Sequence, residues 1–260
     1  MVGVRRAHLA VLAIALMAAA ACAGPAAKTG TPVSPAARTS ASLPTGWSSH
    51  SDTGQGFAIA YPDAWDASFR DSATLDADLK TVAAHSPELG SYFADAFKKD
   101  DQLRLLAADS RTLAQGFAAN VNVMISDLGD ARSAPSLGDV AGAKARHLGA
   151  QPGVGKTLVR TRSRLADNDA VRFDYPLSSA GATAQVRSVI TEVDHGGRRL
   201  LVELTMGAPS AVAGFAFDDM VGNFRLFTAA HPPPVAPSPS PSTSPSPSPS
   251  PVRALGVQNP

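Results

Sequence analysis

The sequence contains one cysteine among 260 residues, so no internal disulfide can form and packing must hold the core together. Aromatic side chains are scarce, at 6% of residues, and the 23 basic residues are nearly balanced by 22 acidic ones. Nothing in this balance suggests a protein that binds nucleic acid. The uncharged apolar run at residues 9–21 is shorter than the roughly 20 apolar residues that span a bilayer.

The single cysteine, Cys22, directly follows that apolar run, and Arg5 and Arg6 precede it. A positive start, an apolar middle and small residues before the cut are typical of an export signal. We therefore expect residues 1–21 to be a signal peptide. Cys22 then carries the diacylglyceryl and palmitate groups of a lipoprotein, on the extracytoplasmic face of the cell membrane. Ala21-Cys22-Ala23 also fits an ordinary secretory cut, which would release the protein instead.

Two low-complexity segments flank the expected domain. Residues 22–44 are rich in alanine, proline, serine and threonine, which predicts a flexible linker behind the lipid. Residues 231–260 form a Pro/Ser-rich tail, and residues 232–251 alone hold ten of the 21 prolines. Such a tail cannot bury enough apolar surface to offset its ordering entropy and is predicted to be disordered. One domain at residues 45–230 lies between them.

Hydrophobic periodicity within this domain predicts strands and helices. Phe57, Ile59 and Tyr61 alternate with alanine and so share one face of a strand, with Trp65 packing back onto it. Further strands are expected at residues 103–108, 118–125, 157–166, 170–177, 184–194 and 199–206. These elements predict an α+β fold, an antiparallel β-sheet with packed helices.

Helix signals lie between those strands. Leu75, Leu79 and Val82 form one helical stripe with Ser72 as its cap, and Ser86-Pro87 is a cap followed by a first-turn proline. A third helix is expected to begin after Pro135-Ser136 and to end at Gly149. A last helix is expected to begin at Pro209-Ser210, with a buried side listed as Val212, Phe215, Met220, Phe224 and Phe227.

The opening strand carries a family resemblance. Gly56-Phe57-Ala58-Ile59-Ala60-Tyr61-Pro62, followed by Trp65, then helices, meandering strands and a final helix, resembles the Mog1/PsbP-like superfamily over residues 45–228. That superfamily includes many actinobacterial lipoproteins, among them those of the LpqN type. The resemblance implies an α/β/α sandwich that binds or scaffolds partners, and it implies no shared catalytic residues.

Four arginines form the candidate binding site. If Ala166 pairs with Ala170 in a hairpin, Arg164 faces Arg172 and Arg162 faces Asp174 on the outer side of the sheet. Planar guanidinium groups suit phosphate and carboxylate, so one interpretation is a shallow anion-binding site made of Arg160, Arg162, Arg164 and Arg172. The alternative is a solvated sheet face in which Arg162 pairs with Asp174.

No motif predicts catalysis, a metal or a cofactor. No serine lies in a nucleophile-elbow pattern, Cys22 is assigned to lipidation, and the histidines lack metal-ligand spacing. We therefore expect an exported, lipid-anchored, non-enzymatic binding or scaffolding module of the bacterial cell envelope. Its partner would be an envelope protein, lipid or glycan.

Two other functions stay open. One is a carrier of a lipid or another hydrophobic or anionic envelope ligand, with a cavity lined by Phe93, Phe97, Phe173, Phe215 and Phe224. The other is an envelope hydrolase, for which the sequence offers no nucleophile.

Overall fold

The computed structural model describes residues 43–70, 74–151, 154, 158–179, 182–210 and 217–227. Outside these residues lie Cys22, Ser72, Val212, Phe215, residues 22–42 of the predicted linker and the whole predicted Pro/Ser-rich tail.

In the part of the chain that the structure describes, ten strands form two antiparallel sheets. In chain order they are β1 (Trp47–Asp52), β2 (Phe57–Pro62), β3 (Asp66–Phe69), β4 (Leu103–Asp109), β5 (Ala119–Asp130), β6 (Val159–Leu165), β7 (Asn168–Ser179), β8 (Ala182–His195), β9 (Arg198–Pro209) and β10 (Arg225–Leu226). The large sheet has the order β3-β4-β5-β9-β8-β7-β6, and the small one has the order β1-β2-β10. The predicted antiparallel α+β fold is therefore confirmed.

The same described ranges contain four α-helices, namely α1 (Leu75–His85), α2 (Pro87–Lys99), α3 (Leu137–Ala150) and α4 (Phe217–Asn223). A short 3-10 helix, Ser110–Gln115, joins β4 to β5. One face of the large sheet is covered by α1 and α2 over β4 and β5, and by α3 over β7 and β8. The other face is covered by the small sheet and α4. Among the described residues, no helix has the length and apolarity needed to cross a membrane.

Strand β2 forms as its alternation predicts. Phe57, Ile59 and Tyr61 are buried on one face, and Trp65 packs into the same cluster. Gly56 precedes the strand with a φ of +74°, and a Cβ atom there would lie 2.5 Å from the carbonyl oxygen of Phe227. A glycine is therefore needed where β2 meets the chain after β10.

Capping residues determine where α2 and α3 begin. The Ser86 hydroxyl accepts a hydrogen bond from the Leu89 N–H at 3.4 Å, which confirms the predicted start of α2. Ser136 and Asp139 form a capping box at the start of α3. The predicted end of α3 at Gly149 is wrong. The helix continues to Ala150, and Gln151 ends it in an extended conformation.

The β6–β7 hairpin differs from the predicted register. Ala166 and Asp167 form a two-residue turn with φ values of 49° and 68°, so that Leu165 pairs with Asn168. A turn with two positive φ values matches the twist of its strands, and the Asn168 side-chain amide supports it by donating to the Ala166 carbonyl at 3.0 Å. The pairing of Ala166 with Ala170 is therefore wrong. Each β6 residue faces a position three residues earlier than predicted.

The last helix does not begin at Pro209-Ser210 as predicted. Pro209 is the final residue of β9 and pairs with Ala184, so it does not begin a helix. The described helix α4 buries Met220, while Phe224 is buried just beyond its end.

Candidate functional site

Three exposed arginines lie on one face of β6. Arg160, Arg162 and Arg164 occupy alternate positions of this strand, and we call them the arginine strip. Since alternate residues of a strand share a face, their side chains project about 7 Å apart. Their β7 partners are Phe173, Val171 and Asp169, so the strip lies on the face of the sheet that carries α3.

The charges of the strip have few partners. Arg164 lies 3.9 Å from the Asp169 carboxylate and donates to the Asp167 carbonyl oxygen. Within the described parts of the chain, Arg160 and Arg162 form no ion pair. By contrast, Arg111 is 2.7 Å from Asp109, Arg198 is 2.6 Å from Asp127, and Arg199 is 2.5 Å from Asp194. Arg160 and Arg162 are therefore available to bind an external anion, while Arg164 has a long contact with Asp169.

Arg172 does not join the strip. It pairs with Thr161 across the hairpin, on the opposite face of the sheet. There its Nε atom lies 2.7 Å from one Asp174 oxygen, and the Nε atom of Arg187 lies 2.7 Å from the other. The predicted pair of Arg162 with Asp174 is therefore absent. The register error of three residues, an odd number, accounts for both differences because it exchanges the two faces.

Charge is segregated along the large sheet. Residues 57–109, which contain β3, β4, α1 and α2, hold ten acidic and five basic residues. Residues 156–199, which contain β6, β7 and β8, hold eight basic and five acidic residues. The strand order places β3 and β6 at opposite edges, six strand spacings or about 29 Å apart. The arginine strip thus occupies the edge farthest from the acidic segment.

A buried ion pair lies beneath α3, and the sequence interpretation missed it. Lys144 Nζ is 2.7 Å from Glu203 Oε1, with 7% and 2% of the two side chains exposed. The Ser188 and Thr205 hydroxyls donate to the same oxygen at 3.0 and 2.8 Å. One signal was present in the sequence, because Glu203 is the single charge in the apolar run Leu200–Ala208 of β9.

The surroundings keep Glu203 ionised. Burial by itself would raise the pKa of Glu203, but the charge of Lys144 and the three hydrogen bonds lower it below its ordinary value of 4.5. Burial, together with the nearby charge of Glu203, raises the pKa of Tyr175. The pair and its hydroxyl donors are out of reach of a substrate, so we assign them a structural role.

The described histidines do not form a metal centre. His85 Nδ1 lies 2.7 Å from an Asp66 oxygen, and His147 contacts Gln151 at 2.7 Å. His50 stacks on Phe69 with ring centroids 3.6 Å apart, and burial lowers its pKa. Over the residues that the structure describes, no group of three or more His, Cys, Asp or Glu side chains could hold a metal ion.

The phenylalanines predicted to line a carrier cavity are spread over separate clusters. Phe93 and Phe97 are on α2 and pack against β4 and β5, Phe173 lies under α3, and Phe224 lies on the opposite face of the sheet. These four side chains therefore do not line one pocket.

The described residues form an antiparallel α+β structure with a basic edge strand. No protein-family model matches the sequence, and no curated protein is similar to it in sequence. The chain is similar in structure to LpqN of Mycobacterium tuberculosis, a protein involved in cell envelope biogenesis. The two share 12% identity over 70% of this chain and 91% of LpqN, with a TM-score of 0.46.

It is also similar to the cyanobacterial PsbP (CyanoP) of Synechocystis, with 13% identity over 74% of this chain and 98% of that one, and a TM-score of 0.44. The Mog1/PsbP fold that the sequence resembles is the fold of both proteins.

Proposed function

We propose that this protein is an exported, lipid-anchored, non-enzymatic binding or scaffolding module of the bacterial cell envelope. In this proposal it binds an anionic envelope component through the arginine strip. The observation that supports binding is the strip itself, three exposed arginines on one face of an edge strand. Arg160 and Arg162 have no ion pair among the described residues. The export signal before Cys22 supports the location.

The electrostatic attraction between the arginine strip and an anionic surface is strong enough to give measurable binding. Each arginine near an anionic surface contributes about 1 kcal/mol, so three contribute about 3 kcal/mol, or roughly 100-fold in affinity. The chain as a whole is nearly neutral, with a formal net charge of +1, so the attraction comes from this edge rather than from net charge. Salt is expected to weaken the binding, because exposed charges are screened.

The predicted linker would serve the same function by holding the domain close to the membrane. About 20 residues separate Cys22 from the first described residue, Leu43. A flexible chain of that length has a root-mean-square span of about 25 Å. Tethering at this distance raises the effective concentration of the strip towards ligands in the same layer, so a modest intrinsic affinity is sufficient.

Removing the strip is expected to abolish this binding. In the unlipidated Cys22→Ala background, we expect R160S/R162S/R164S to reduce affinity for isolated envelope membranes at least tenfold in a co-sedimentation assay. The matched control is R111S/R132S/R198S, which removes three exposed arginines elsewhere. Equal affinity losses in the two variants, or no loss in either, would contradict a specific role for the strip.

A further inference from the structure

Strand β6 ends the large sheet and leaves one edge open. It pairs with β7 on one side, and within the described ranges no strand pairs with its other side. Its first residue, Val159, is 50% exposed. A seven-residue strand with an open edge presents backbone donors and acceptors on which another strand can pair.

The hairpin turn determines which backbone groups point outwards. In a two-residue turn, Leu165 and Asn168 form a hydrogen-bonded pair, and such pairs alternate with non-hydrogen-bonded pairs along the ladder. Arg164 is therefore in a non-hydrogen-bonded pair, as are Arg162 and Arg160. Their N–H and C=O groups point away from β7, towards the open edge.

A contact on the far side of β7 agrees with this assignment. Asp169, the partner of Arg164, must likewise direct its carbonyl away from β6 and towards β8. The Thr191 hydroxyl of β8 donates to that carbonyl at 2.7 Å. The three arginines therefore combine outward backbone groups with side chains on one exposed face.

Outward backbone groups and arginine side chains at the same positions suit an extended ligand with alternating acidic residues. A strand added at the edge would hydrogen-bond to Arg160, Arg162 and Arg164, and its residues opposite them would lie on the same face, with Cβ atoms about 5 Å away. Acidic residues at these alternate positions would each meet an arginine. A second copy of β6 would place arginine opposite arginine, which is unfavourable, so self-pairing at this edge is disfavoured.

We propose that β6 accepts an extended acidic segment of another envelope protein as an eighth strand, with carboxylates at every second position paired to the arginine strip. This inference rests on the proposed binding function and gives its ligand a chemical class. Backbone hydrogen bonds supply affinity in this mode of recognition, and the arginines select an alternating acidic sequence.

A peptide titration tests strand addition separately from general anion binding. The protein is the chain from residue 22 to residue 260 carrying Cys22→Ala, and the readout is fluorescence anisotropy at low salt. The probe is a capped peptide of seven residues that alternates threonine and aspartate. A second peptide has the same sequence with N-methylated aspartate amides, which keeps the charge and removes the donors that face β6. A third groups its three aspartates together.

We expect the alternating peptide to bind at least tenfold more tightly than the N-methylated and grouped peptides. We also expect R160S/R162S/R164S to lose this binding and R160K/R162K/R164K to retain part of it. Equal binding of all three peptides, lost in the serine variant, would overturn strand addition while leaving anion binding intact. Strand addition would also be overturned, with anion binding again intact, if no peptide binds but vesicles containing 30% phosphatidylglycerol bind through the arginines. Absence of binding to peptides and vesicles alike would overturn strand addition and count against the anionic ligand too.

Discussion

Replacement of Lys144 with methionine is expected to lower the free energy of unfolding by about 3–5 kcal/mol, because it leaves Glu203 charged and unpaired in the core. Methionine nearly matches the length and volume of lysine, so packing changes little. Chemical denaturation of the unlipidated chain measures the loss. The matched control is Lys99→Met, which removes the exposed Lys99–Asp95 pair and should change stability by less than about 0.5 kcal/mol.

A double variant separates the ion pair from packing. Lys144→Met combined with Glu203→Gln leaves no buried charge and retains an oxygen that accepts from Ser188 and Thr205. We expect it to recover at least about 2 kcal/mol of the single-variant loss, since a neutral replacement avoids the unpaired charge. If the two substitutions simply add, or if Lys144→Met costs less than about 1 kcal/mol, the pair does not have the structural role assigned to it.

The pH dependence of stability is a second test of the Lys144–Glu203 pair. The folded-state pKa of Glu203 is lowered below 4.5, so ionised Glu203 contributes stability above that pH. This contribution is lost as the pH falls through the lowered value. The native chain should therefore lose stability more steeply below about pH 4.5 than the double variant does. Other carboxylates with lowered pKa values, Asp109 and Asp127, affect both proteins equally.

Substitution of Cys22 by alanine is expected to abolish acylation completely, because the chain has one cysteine and no other thiol can take the lipid. Cells fed a clickable palmitate analogue should label the native chain and leave Cys22→Ala unlabelled. Ala23→Ser is the matched control, since it changes the neighbouring residue and keeps the thiol.

Mass measurement of the mature N-terminus completes this test. A lipoprotein begins at Cys22 with the added mass of the diacylglyceryl group, whereas a secretory cut after Ala23 begins at Gly24. An unlabelled native chain that begins at Gly24 would contradict the anchor and support free secretion instead. The same mass measurement identifies any Cys22→Ala protein that stays in the membrane only because its signal remains uncleaved.

Local sequence patterns predicted much of the fold. The sequence correctly predicted the strand of Phe57, Ile59 and Tyr61, the helix start at Ser86-Pro87 and the strands from β4 to β9. Each of these features depends on residues that are neighbours in the chain. The turn between β6 and β7 and the register of their pairing could not be predicted in this way. The turn at Ala166 and Asp167 uses positive φ values at residues that rarely adopt them, and the apolar pattern also fitted another register.

In the candidate site too, features set by neighbouring residues were predicted, and features set by contacts between distant residues were not. The alternation of Arg160, Arg162 and Arg164 placed them correctly on one face, whereas the exclusion of Arg172 depended on the register. The Lys144–Glu203 pair joins residues 59 positions apart, and no local pattern links them. The outward direction of the arginine backbone groups follows only from the observed turn.

In-cell photo-cross-linking tests the central claim most directly, namely that the β6 edge is the binding surface of this envelope protein. A photoreactive amino acid replaces Val159 at the open edge, and Lys80, exposed on α1, serves as the control position. The proposed function predicts adducts with an envelope component from position 159, few from position 80, and their loss in R160S/R162S/R164S. Equal adduct yields at the two positions, or yields from position 159 that do not depend on the arginines, would contradict it.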